Sequence, residues 1–115
     1  MAWYENPDDS ESYWTEHPIA TLAPAQALSL DAADLDEDGD IDLVVGEHTN
    51  QFTPGLRMLA FENTGSDAWI THVVFTGDEH HDGAQLVDLD NDGDLDIVSI
   101  GWTHRNLLVY ENLWR

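Results

Sequence analysis

Asp34, Asp36, Asp38, Asp40 and Asp42 alternate through the stretch "DLDEDGDID", and Asp88, Asp90, Asp92, Asp94 and Asp96 alternate through "DLDNDGDLD". Carboxylates this crowded repel: two of them ~4 Å apart cost about 4 kcal/mol at an effective dielectric of about 20. A hard divalent cation reverses the sign of that energy. Ca2+ takes roughly six to eight oxygens at about 2.3 to 2.6 Å, and carboxylates at the first, third and fifth places of a tight loop can converge on one point. Gly39 and Gly93 hold the sixth place, where the chain turns sharply and a positive φ costs glycine little. Asp40 and Asp94 would offer backbone carbonyls, and Asp42 and Asp96 would close the site. An EF-hand does not fit, because that loop ends on a bidentate Glu at its twelfth place and is flanked by helices. Here that place falls on Val45 and Ser99, inside extended stretches. A lone acidic run reads first as a solvated turn; two copies at matching places favour two Ca2+ sites per chain.

Other residues can do chemistry but lack this repetition. "DEHHDGAQ" sets His80 and His81 among Asp78, Glu79 and Asp82, a mixture that can bind a transition metal or exchange protons. The repeats do not share it, so surface-loop histidines are the plainer expectation. Trp102 stands beside His104 and Arg105 after an extended stretch and is the candidate for contact with a glycan or protein ligand. Trp14 and Trp69 recur at matching places and read as core, as do His17 and His72 in the repeated W-x-x-H. No nucleophile is paired with a base, no Gly-rich loop cradles phosphate and no zinc-type spacing occurs. An enzyme is not expected.

The elements that must carry these residues repeat. The Asp runs are offset by 54 residues (34 to 88), "WTEH" at 14–17 echoes "WITH" at 69–72, and Tyr4-Glu5-Asn6, Phe61-Glu62-Asn63 and Tyr110-Glu111-Asn112 form a third echo. The period predicts one module over 1–115, with a first repeat over about 3–56, a second over about 57–109 and a partial third at 107–115. Alternating or short apolar runs rich in β-branched and aromatic residues predict strands at 3–5, 14–20, 27–33, 41–46, 57–62, 69–75, 84–89, 95–100 and 107–111. The long connections, 47–55 and 76–83, are the expected recognition loops. The fold class is all-β, in four-stranded antiparallel units of the kind that build propeller blades. Nine strands are one more than two such units need, and two blades cannot close a ring of about four to eight. The expectation is therefore either an excised piece of a larger propeller or a subunit that assembles with copies of itself, into a ring of three or four or into a fibre.

The run from Asp34 to Val45 and the run from Asp88 to Ser99 resemble the calcium loops of FG-GAP/VCBS repeats, the blades also found in integrin alpha-chain propellers. "WYENP" and "WTEH" resemble the recurring strands of bacterial extracellular members. The resemblance covers essentially the whole chain. It implies side-chain ligands at Asp34, Asp36, Asp38 and Asp42 and at Asp88, Asp90, Asp92 and Asp96, with carbonyls from Asp40 and Asp94. It also admits a lectin-like binder, or a piece of a propeller-type lyase or dehydratase in which His80 and His81 serve a site completed elsewhere.

Composition narrows the partners. Twenty-four Asp and Glu oppose three Arg and no Lys, a formal charge of −21, and eleven of those acids lie in the two runs. Such a surface repels phosphate backbones and anionic lipid, so nucleic acid is not an expected partner. No apolar run approaches the ~20 residues of a membrane span. There is no cysteine, which excludes disulfides and thiolate metal sites. "MAWYENPDD" carries no secretory signal pattern. An extracellular or cell-surface setting is nevertheless expected, because calcium there is abundant enough to fill weak sites.

Overall fold

The computed structural model describes residues 1–50 and 54–114. Positions 51–53, in one expected recognition loop, and Arg115, at the end of the partial third repeat, lie outside the described residues. Nine strands form among the described residues: β1 (Ala2–Glu5), β2 (Thr15–Pro18), β3 (Gln26–Ala33), β4 (Asp42–His48), β5 (Leu56–Asn63), β6 (Trp69–Gly77), β7 (Gln85–Val87), β8 (Asp96–Ile100) and β9 (Leu107–Tyr110). The fold is all-β, and no helix occurs among the described residues. Each strand overlaps an extended stretch expected from sequence. The stretches at 14–20 and 84–89 shorten, because Pro18 cannot donate to a ladder in its own right and the acids from Asp88 onward turn into the second loop.

The strands pair antiparallel in three sheets, β1-β2, β3-β4-β5-β6 and β7-β8-β9. This grouping cuts across the expected repeat frame of 3–56 and 57–109: the middle sheet takes two strands from each. By sequence echo, β1, β5 and β9 are equivalent, as are β2 and β6. The first sheet therefore corresponds to the last two strands of the middle sheet, and the third sheet to its first three. The sheets do not close on themselves. The molecule measures 47 × 37 × 22 Å with a radius of gyration of 15.1 Å, above the ~13 Å of a compact domain of about this length.

Both faces of the middle sheet are covered. Val44, Met58 and Ala60 pack with Leu35, Ala84 and Ile97 on the side of the third sheet. Val45, Leu59 and Phe61 pack on the other side against Met1, Ile19, Ala20 and Leu22. That two-sided burial explains why "LVV" and "MLAF" are unbroken apolar runs, whereas a strand with one wet face would alternate. The Asp31 carboxylate accepts the Leu86 N–H at 2.9 Å and so ties β3 to β7 across the sheet boundary. Glu47 and Arg57 stand opposite each other at the far ends of β4 and β5. The Glu47 carboxylate, 2% exposed, accepts from Arg57 Nε at 2.9 Å, from its terminal guanidinium nitrogen and from its backbone N–H at 3.0 Å.

Candidate metal centres

Each Asp run is the hairpin loop that joins the first two strands of a sheet, and the two loops share one backbone shape. Glu37 and Asn91, at the fourth place, have φ of 61° and 65°, and Gly39 and Gly93, at the sixth, have φ of 99° and 106°. Glycine was legible at the sixth place. The left-handed residue at the fourth was not, although Asn91 tolerates that conformation better than most.

The ninth residue anchors each loop. Asp42 is fully buried and Asp96 is 3% exposed. Asp42 Oδ2 accepts the Leu35 N–H at 2.9 Å and Oδ1 accepts the Asn63 N–H at 2.8 Å. Asp96 repeats this with Leu89 at 3.1 Å and Asn112 at 2.9 Å. One carboxylate thus holds the start of its own loop and the end of the third strand of its sheet. Sequence reasoning read Asp42 and Asp96 as lids of a site and missed this fastening. The signal was the recurring aromatic-Glu-Asn, whose Asn supplies the donor.

The remaining acids crowd inward. Oxygens of Asp34, Asp36 and Asp42 lie within 4.8 Å of one another, as do those of Asp88, Asp90 and Asp92. Asp38 and Asp96 fall outside these groups. Asp38 Oδ1 accepts the Asp40 N–H at 2.9 Å, while the Asp40 carboxylate sits against the backbone of Gly65, where a Cβ would come within 2.6 Å of its Oδ2. Asp34 accepts the N–H groups of Asp38 at 3.1 Å and Gly39 at 3.0 Å. Its counterpart Asp88 instead buries Oδ1 with no hydrogen-bond partner. Burial raises the pKa of Asp36; the Asp38 N–H lowers it, and the charges of Asp38, Asp42 and Glu62 raise it further. These groups fit a hard cation: oxygen donors only, convergent, mutually repelling and incompletely satisfied by backbone N–H.

The other candidate residues part company at the opposite end of the sheets. His80 is not a surface-loop residue: it is fully buried, edge-on to Phe75 and Tyr110, with Nδ1 2.8 Å from Ser99 Oγ. Arg105 is exposed and does not line the cavity that the neighbouring residues form. His81, Trp102 and His104 do converge, on a cavity of about 620 Å³ also lined by His48, Asp78 and Glu79. Their approach could not be read from sequence, because loop spacing fixes no geometry across sheets. His17 and His72 are strand residues, each bonded to the Glu of the aromatic-Glu-Asn echo: Glu5 at 3.2 Å and Glu62 at 2.7 Å.

Comparison of the chain with family models, with curated proteins and with solved structures found no match.

Proposed function

We propose that the protein is a calcium-binding structural and assembly module built from propeller-type blades, working outside the cell or at its surface. The observation that carries this reading is the duplicated fastening of Asp42 and Asp96, which sets two acidic loops in the same relation to two sheets. A cation held there by Asp34, Asp36 and Asp42, and by Asp88, Asp90 and Asp92, would supply positive charge that offsets their repulsion and stiffens the hairpin tips.

Assembly follows from a count of equivalent strands. Three aromatic-Glu-Asn strands compete for two Asp loops: Asn63 caps Asp42 and Asn112 caps Asp96, which leaves Asn6 with no loop to cap. Among the described residues the third sheet has no strand equivalent to β2 and β6. An N-terminal hairpin from a second copy, β1 with β2, supplies that strand by exchange. Its β1 takes the place of β9 beside β8, with Asn6 replacing Asn112 on Asp96, and its β2, which bears His17, becomes the outer strand. Repeated head to tail, this heterologous contact gives a ring of three or four copies if the rotation closes and a fibre if it does not.

Light scattering of the full chain in calcium and then in chelator tests the reading. Multimers in calcium that fall apart on chelation, and their loss on deletion of residues 1–20, are expected. A monomer indifferent to calcium contradicts it.

A further inference from the structure

The cavity at the end of the sheets remote from the acid loops is unexplained by calcium or assembly. Its described lining comes from the end of β4 with Thr49 and Asn50 beyond it, from the turn between β6 and β7, and from the turn after β8. Its volume, about 620 Å³, is within the range of small-molecule sites. No Arg or Lys lines it among the described residues, and Asp78 and Glu79 do.

Glu79 is 5% exposed yet built to stay ionised. Burial alone would raise its pKa, but N–H groups of Trp102, His81 and Thr103 and the Thr103 hydroxyl outweigh that and hold it below the ordinary value. His104 positions this carboxylate from behind. Its Nε2–H donates to the Glu79 carbonyl at 3.0 Å and its Nδ1 accepts the Asn106 N–H at 3.2 Å, so both ring nitrogens are used. His48 differs. It is only 9% exposed, its Nδ1 has no hydrogen-bond partner, and that nitrogen lies 4.0 Å from Glu79 Oε1.

We propose that the cavity binds a primary ammonium group on an organic ligand, held jointly by Glu79 Oε1 and His48 Nδ1. The two atoms are too far apart to bond each other. One nitrogen about 2.9 Å from both subtends an angle of about 90°, about 20° inside the tetrahedral spread of two N–H bonds of an ammonium, so each hydrogen bond bends only about 10° from linear. A transition metal about 2.1 Å from both would need an angle of about 145°, far from tetrahedral. Among the described residues only the two acid loops group three metal-type ligands. An alcohol brings one proton and no charge, leaving the Glu79 carboxylate uncompensated. The ammonium compensates it and leaves its carbon chain to the aromatic wall. His81 meets His48 edge-on at 4.5 Å and Trp102 at 5.6 Å, while Trp102, 75% exposed, offers a π face at the mouth. Asp82 Oδ1, 2.6 Å from His81 Nδ1, fixes the ring that separates them.

Amide and indole NMR shifts of the full chain in saturating calcium test this with n-butylamine, N-acetyl-lysine amide, n-butanol and methyl glucoside. Saturating shifts at His48, Glu79 and Trp102 with both amines, absent with the neutral compounds, are expected. Binding of the lysine derivative well above butylamine assigns the ammonium to a protein side chain, and the reverse assigns it to a free amine. Glu79→Gln should abolish binding. Because that residue also anchors backbone, the fold-neutral Trp102→Ala is the second variant, with affinity expected to fall about tenfold. Equal shifts with the neutral compounds, amine shifts confined to the acid loops, or undiminished binding by Trp102→Ala would overturn the proposal.

Discussion

Asn112 donates its backbone N–H to Asp96 Oδ1 at 2.9 Å, binding the end of β9 to the last acid of the second loop. Asn63 and Asp42 repeat the bond at 2.8 Å. The carboxylate is a structural fastener whatever else it touches, and removing it strands two buried donors. Asp42→Ala is expected to cost about 2 to 6 kcal/mol, since each abandoned group forfeits about 1 to 3. Denaturant unfolding in chelator reads this loss directly; an unchanged midpoint would show that solvent replaces both bonds.

Asp36→Asn should behave in the opposite way. Among the described residues Asp36 accepts one backbone N–H, that of Asp38 at 3.2 Å, and its charge opposes three neighbouring carboxylates. In chelator the variant is expected to be as stable as the parent or slightly more so. In calcium at about a hundred times the dissociation constant the parent gains about 2.7 kcal/mol per site, and the variant loses the share of the first loop. Equal calcium stabilisation of both proteins would remove Asp36 from the ligand set.

Arg57→Ala leaves the Glu47 carboxylate charged and 2% exposed. Breaking a buried pair from one side costs about 3 to 5 kcal/mol, and the guanidinium, 38% exposed, places this case toward the lower end. Adding Glu47→Gln should recover part of the loss, because the abandoned charge is then gone. A cost of Arg57→Ala below about 0.5 kcal/mol would class the pair with ordinary surface bridges.

His80 makes stability depend on pH. Ser99 Oγ gives its proton to the Gly83 carbonyl at 2.6 Å, so His80 Nδ1–H must be the donor toward it, and Nε2 is buried without a partner. Burial lowers the imidazole pKa from its ordinary 6.5; His104 adds to that, and Asp78, Glu79 and Glu47 oppose it. Above that ordinary value neither state binds the proton and the group contributes no slope. As pH falls below it, the unfolded chain takes up a proton that the folded chain refuses, and stability declines toward the lowered folded value. Urea midpoints from about pH 8 to about pH 5 should drop less for His80→Met than for the parent; identical slopes would contradict this assignment.

Strands were legible because each carries its own pattern. "LVV" in β4 and "MLAF" in β5 are apolar and β-branched or aromatic, and tight Asp- and Gly-bearing turns bound the hairpins. Their grouping was less so, since nothing local to Phe61-Glu62-Asn63 says whether it closes one unit or opens the next. Only the bond from Asn63 back to Asp42 decides that. The acid groups were legible as types at fixed spacing. His48 was not, since its role depends on Glu79, which follows it by 31 positions and meets it only after β5 and β6 have folded back.

Equilibrium dialysis of the folded chain against calcium, followed by elemental analysis and protein quantitation, tests the central claim most directly. The account predicts two calcium ions bound per chain, falling to one when Asp36 or Asp90 is replaced by Asn and to none when both are. A parent protein that retains no calcium above the dialysate, at concentrations that fill weak extracellular sites, would contradict it.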